Sequence, residues 1–169
     1  MKTRRIHSIC FLCIIFLLSG CSYSFRDVSI DYTKTKTIKI NFIENRARLI
    51  NPQLSPKLTE KLLQKMTSQT KLIRTQNDDA NILISGYISD YGFSTSAITS
   101  AQAATNRLTI GVHITVKMVT DLGPPKEYDV SRSFDFSANL SQQQAEDSLL
   151  EDILKGITDD IFNRIFSSW

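Results

Sequence analysis

Few side chains in this 169-residue sequence have the reactivity for covalent chemistry. Cys21 sits in the stretch FLLSGCSYSF, residues 16–25, directly behind an apolar run and two small residues. A thiol there can ionise and attack an electrophile. Cys10 and Cys13 have the C-x-x-C spacing of redox and metal sites, but both lie inside the apolar run ICFLCIIFLL. Of the two histidines, His7 belongs to the same N-terminal stretch and His113 stands alone on the polar side of an alternating segment. One imidazole cannot supply a histidine-rich metal site, and beyond residue 20 no H-E-x-x-H, G-x-S-x-G or phosphate-cradling glycine loop occurs. A Ser-His-Asp triad would have to be built on His113, which reads far more readily as a satisfied surface or interface histidine. The adjacent acids Glu151-Asp152 and Asp159-Asp160 would point about 100 degrees apart on a helix, so each pair is expected to be a solvated face. No catalysis and no metal site are expected.

Cys21 makes chemical sense in the context of the N-terminus. Lys2, Arg4 and Arg5 precede an apolar run from Ile6 to Leu18, the charged and hydrophobic regions of an export signal. Such a run is too short for a permanent span, which needs roughly 20 residues. It ends in Leu18-Ser19-Gly20-Cys21, which resembles a bacterial lipobox. The resemblance implies that the Cys21 thiol takes a diacylglyceryl group, that residues 1–20 are removed, and that the new amino group is acylated. Each buried methylene is worth about 0.8 kcal/mol, so three acyl chains hold a protein on its membrane where one would not. Ser22 in place of aspartate resembles the sorting signal for the outer membrane. No other cofactor is expected.

Charge then reads differently. Three of the twenty Lys and Arg residues, and none of the seventeen acids, lie in residues 1–20, so the remaining chain is formally neutral and a nucleic-acid partner is not expected. It would also hold no free thiol and no disulfide. The 149 residues left are the length of one domain with its own core, without internal repeats. Residues 21–35 read as an acylated tether, and 36–169 as a single domain.

Two basic features could meet an anion. Lys57, Lys61 and Lys65 step by four along one side of a predicted helix, and Arg46 and Arg48 precede it in ENRARLI. They read either as a patch for phosphorylated lipid or an anionic partner, or as a solvated helix face and loop. Arg107, at the start of the best strand, is a candidate of the same kind, or a strand-edge cation.

The elements that must carry these residues follow from periodicity. TIKINFIEN, residues 37–45, sets Ile38, Ile40 and Phe42 on one face of a strand. Asn51-Pro52 and Ser55-Pro56 offer caps for a helix with Leu54, Leu58, Leu62, Leu63 and Met66 on one side, running to about Gln69. Residues 80–93 read as a strand that bends or ends at Gly86 and Gly92. The small polar stretch 94–105 reads as a long connection or irregular strand extension, more often functional than decorative. Leu108, Ile110, Val112, Ile114, Val116 and Met118 alternate through the next strand. After Gly123-Pro124-Pro125 come Tyr128, Val130, Phe134 and Phe136, with Arg132 interrupting, and the two strands are predicted to form an antiparallel hairpin. Ser141 and Gln144 form a capping box ahead of a helix of some 25 residues, about 37 Å long. The order β-α-β-β-β-α predicts an α+β two-layer sandwich, two helices packed on one face of a four-stranded mixed sheet.

Cys21 followed by Tyr23-Ser24-Phe25, the blocks ENRARLINPQLSPKLTEKL and ATNRLTIGVHITV, and the terminal DDIFNRIFSSW resemble the LptE family of lipopolysaccharide-assembly lipoproteins, in its Bacteroides-like branch. The resemblance implies a lipoprotein tethered to the inner leaflet of the outer membrane on its periplasmic side. It further implies a plug within the LptD barrel that assists lipopolysaccharide insertion into the outer leaflet, and lipopolysaccharide contacts through basic residues of the sheet and loops. Arg46, Arg48, Lys57, Lys61, Lys65 and Arg107 are the candidates. The competing expectation is a free periplasmic lipoprotein module, a secretin pilot or ligand-binding domain, with no barrel partner.

Overall fold

The computed structural model describes residues 30–95, 105–119 and 121–166. The expected signal peptide, Cys21, most of the expected tether and the centre of the small polar stretch lie outside the described residues.

Eight elements follow one another: β1 (Thr37–Ile40), β2 (Glu44–Asn45), α1 (Leu54–Gln69), β3 (Ile73–Arg74), β4 (Ile82–Thr95), β5 (Thr105–Met118), β6 (Lys126–Ser137) and α2 (Gln142–Phe166). Among the described residues they build a six-stranded sheet in the order β3-β1-β4-β5-β6, with β2 beside β4. β1 lies parallel to β3 and β4, whereas β4, β5 and β6 are antiparallel neighbours. The four expected strands are present and the sheet is mixed, with both helices on one face. Two-residue β3 is an addition that pattern could not reveal, since two residues carry no period, and two-residue β2 is the far end of the strand expected over residues 37–45.

β1 and β2 replace one longer expected strand because the chain changes phase between them. The amide of Asn41 still donates to the Ile84 carbonyl at 2.9 Å, but that of Ile43 donates to the Thr59 hydroxyl of α1 at 3.0 Å. Ile43 is thereby turned into the core and Phe42 is left 58% exposed, the reverse of the alternation read from sequence. A second change of phase occurs in β4. Its register against β5 shifts between Ile88 and Asp90, so the inward set moves from Ile82, Ile84 and Ile88 to Tyr91 and Phe93. One extra residue in a β-bulge flips every later side chain to the other face. Neither glycine ends the strand.

β5 keeps strict alternation, and all six of its expected apolar residues are buried. The hairpin with β6 pairs in unbroken register from Thr105↔Ser137 to Val116↔Lys126.

Of the two proposed caps for α1, Asn51 prepares its start. Its Oδ1 accepts the Gln53 amide at 3.0 Å and its carbonyl accepts Leu54 N–H, whereas Ser55 is already inside the first turn. Leu54, Leu58, Leu62, Leu63 and Met66 are buried as the spacing requires. The capping box of α2 is reciprocal: Ser141 N–H donates to Gln144 Oε1 at 3.0 Å, and Gln144 N–H donates to Ser141 Oγ at 3.2 Å. Ile153, Leu154, Ile157, Ile161 and Ile165 then face the core.

Arg132, the cation on the inner face of β6, is accommodated by a glycine. A Cβ on Gly156 would stand 2.4 Å from Arg132 Nη1, so the glycine leaves room for the guanidinium to pass α2 in this conformation and reach Asp160 at 2.8 Å. Three of the four acids expected to be merely solvated are partnered: Asp160 by Arg132, Asp159 by Lys65 and Glu151 by Lys61.

Candidate functional site

With both helices on one face, the other face of the sheet is left to the outward residues of β4, β5 and β6. Register aligns them in rows: Tyr87, His113 and Asp129; Gly92, Thr109 and Ser133; Ser94, Arg107 and Asp135. Each of these three rows contains a polar pair. His113 Nδ1 lies 2.8 Å from Asp129 Oδ1, and the Thr109 and Ser133 hydroxyls are 2.9 Å apart. Arg107 donates through Nε and Nη2 to the two oxygens of Asp135 at 2.7 and 3.1 Å. Those hydrogen bonds and the attraction between the opposite charges hold the Asp135 carboxyl below its ordinary range and raise the Arg107 guanidinium above its own.

The rows continue to the edge of the sheet. The Tyr87 ring stacks on His113 with centroids 5.1 Å apart, the Arg46 guanidinium lies 4.5 Å above the Tyr87 ring, and Arg46 Nη2 also donates to Glu44 at 2.9 Å. Along these three rows charge and hydrogen-bonding capacity are matched across strands, each such pair worth about 0.2–1 kcal/mol. They can meet water or a polar wall without rearrangement. His113 is tied to Asp129 and stacked on Tyr87, an arrangement that places it in the sheet's own pairing. Among the described residues, no group of three His, Cys, Asp or Glu side chains could hold a metal ion.

The candidate cations are distributed over both layers. Arg46 and Arg107 share the open face but are separated by the rows of Gly111 and Thr109. Arg48 is exposed in the loop before α1. The lysines lie on the helical layer: Lys57 Nζ donates to Gln53 at 2.8 Å, Lys61 to Glu151 at 2.8 Å, and Lys65 to Asp159 at 2.7 Å, with Lys65 also 5.4 Å from the Phe162 ring centroid. The bond from Lys61 lowers the Glu151 carboxyl. What periodicity showed as a basic stripe is a seam joining α1 to α2, with a pocket of about 270 Å³ beneath it.

Glu44, Tyr87, Asp129 and Asp135 were not singled out from sequence. A signal for the last two was available: His113 and Asp129, and likewise Arg107 and Asp135, lie equally far from Asp121 in the hairpin turn, so they must pair once the turn is placed.

Tyr91 belongs to neither surface. Buried under the start of α2, it donates from its hydroxyl to Glu146 at 3.0 Å. Burial raises its phenol above the ordinary value, partly opposed by the Asn51 side chain and reinforced by the charge of Glu146.

A two-helix layer backed by a sheet whose other face carries polar cross-strand pairs defines an α+β two-layer domain. The family model described as LptE: Lipopolysaccharide-assembly matches residues 35–165, and the chain belongs to that family of lipopolysaccharide-assembly lipoproteins. No curated protein matches the sequence. Among solved structures, a minor lipoprotein from Acinetobacter baumannii shares the fold at 12% identity and a TM-score of 0.51, over 80% of this chain and 94% of that one. A hypothetical protein from Chlamydia trachomatis does so at 11% identity and a TM-score of 0.53, over 78% and 95%. Among the described residues, no helix is long and apolar enough to cross a membrane.

Proposed function

We propose that the chain loses residues 1–20 and is triacylated on Cys21. The anchor holds it on the periplasmic side of the outer membrane, and the domain plugs the LptD barrel while lipopolysaccharide passes to the outer leaflet. It acts by binding and support, with no reaction of its own. Beyond the family, the observation that carries this reading is the open face of the sheet. Its cross-strand ion pairs and hydroxyl pairs satisfy one another, so it suits a water-filled barrel lumen, which is polar and would be obstructed by lipid on an apolar plug. Arg46, Arg48 and Arg107, exposed on that face or its adjoining loop, are the contacts proposed for lipopolysaccharide phosphates. Lys57, Lys61 and Lys65 lie on the helical layer, away from that face, so their contribution is expected to be smaller.

The test is a pull-down from detergent-solubilised outer membrane with a tag after Trp169. A barrel protein at near-equal stoichiometry is the expected result, and its loss in Cys21→Ser, which cannot be acylated, is expected to be partial, because the domain's own surface remains. Recovery of a monomer without a barrel would favour a free periplasmic module.

A further inference from the structure

The starts of β1, β3, β4 and β6, the end of β5 and the end of α1 gather at one end of the sheet. Three large apolar side chains stand in water there: Ile73 at 66% exposure, Val119 at 58% and Leu122 at 103%. Pairing of Thr37 with Ile73, and of Val119 N–H with the Asn81 carbonyl at 2.9 Å, sets Ile73 and Val119 in one row across the sheet, with Leu122 in the turn just beyond. Such a cluster at a strand end has no packing role in the domain.

The same end is where the chain arrives from Cys21. Ile30 is in the core, Tyr32 lies 5.7 Å under the ammonium of Lys71, and the Lys36 carbonyl accepts the Ile73 amide at 2.8 Å. Eight residues separate Cys21 from Ile30, so the two are at most about 32 Å apart, at roughly 3.5 Å per residue. Charge points the same way. Lys34, Lys39 and Lys126 pair with Asp31, Asp78 and Asp121, while among the described residues Lys36, Lys71, Arg74 and Lys117 meet no carboxylate at ion-pair distance. The acids left over at this end are Asp79 and Glu127, fewer than the cations.

The geometry points to a membrane-contact face: Ile73, Val119 and Leu122 enter the headgroup region of the leaflet that holds the Cys21 acyl chains, ringed by Lys36, Lys71, Arg74 and Lys117 against anionic headgroups. Interfacial apolar groups reach roughly 5–10 Å into the headgroup and acyl boundary, and basic residues within a Debye length of an anionic surface strengthen the contact. The face rests on the proposed acylation of Cys21 but not on the barrel. Its consequence is orientation: the sheet stands with its β1-start end down, and the row of Arg107 and Asp135 is held at the far end, away from the leaflet.

The test uses the mature acylated protein in phosphatidylethanolamine–phosphatidylglycerol vesicles. With Cys21 acylated, a cysteine introduced elsewhere is the single reactive thiol, so a fluorophore is placed in Leu122→Cys or, as a control, Ser133→Cys, and quenched by lipids spin-labelled near the headgroup. Strong quenching at residue 122 with little at 133, weakened in Ile73→Ser/Val119→Ser and in vesicles lacking phosphatidylglycerol, is the expected result. Equal quenching at the two positions overturns the face, as does protection of residue 122 that appears only when a barrel protein is added. Mass spectrometry of the same sample separates the two ideas. An acylated protein with unquenched residue 122 removes only the face, whereas a bare Cys21 removes the anchor and the face together.

Discussion

Gly86 and Gly92 occupy one strand, and alanine at each is expected to act in opposite directions. A Cβ at Gly86 would stand 2.3 Å from the His113 carbonyl oxygen and 2.8 Å from Ile114 Cδ1. The first of these atoms is backbone of the adjacent strand, paired through β5 to both neighbours, so it cannot swing aside. Relief requires β4 and β5 to separate by about 1 Å, and overpacking of that kind typically costs about 1–3 kcal/mol. Against it stands the loss of unfolded-state freedom when glycine becomes alanine, about 0.4–1 kcal/mol in favour of the variant. The net for Gly86→Ala is a destabilisation of about 1.3 kcal/mol, which for a domain of this size lowers the melting temperature by about 4 °C. At Gly92 a Cβ meets nothing within 4 Å, so only the favourable part remains, and Gly92→Ala is expected to be neutral or stabilising by about 0.5 kcal/mol. Gly111→Ala falls between, since its Cβ would meet Ser89 Oγ at 3.1 Å and Asp90 Cβ at 3.2 Å, side-chain atoms of the bulge that can give. Urea unfolding followed by circular dichroism measures all three as shifts in midpoint at constant slope. Gly86→Ala as stable as Gly92→Ala would refute the close approach of the two strands.

Tyr91→Phe removes the hydroxyl bond to Glu146 and is expected to cost about 1 kcal/mol in the same urea assay. Because the folded-state phenol is raised above its ordinary 10.0, the unfolded chain releases that proton first; wild-type stability is intact below about pH 10 and falls as pH rises beyond it, and this part of the fall is expected to be absent in Tyr91→Phe. Ser141→Ala breaks the capping box and is expected to cost about 1 kcal/mol by thermal unfolding, with Ser141→Asp retaining most of the stability; equal losses in both would show that the cap is not what Ser141 contributes.

The elements that local pattern determines are those whose signal lies within a few turns of chain. β5 alternates strictly because one face must be apolar whatever covers it, α2 begins at Ser141 because its capping box spans only three residues, and α1 follows from leucines at steps of four. The layer arrangement follows from the order of such elements. Of the surface, His113 and Arg107 were legible as polar-face residues, and their partners would have been once the hairpin was centred on Asp121.

Tertiary structure alone decided the rest, because the deciding contacts join distant residues. Thr59 on α1 takes the Ile43 amide and so turns Phe42 outward, and the bulge at Ser89 reverses the phase of β4 against a partner strand. A lysine in water and a lysine on a carboxylate look the same in sequence. Only the packing of α1 against α2 makes Lys61 and Lys65 a seam with Glu151 and Asp159, and only the packing of α2 over β6 brings Arg132 past Gly156 to Asp160. Side-chain periodicity states which face of an element is buried; which charges meet is fixed by the faces that adjoin it, and these are brought together across dozens of residues.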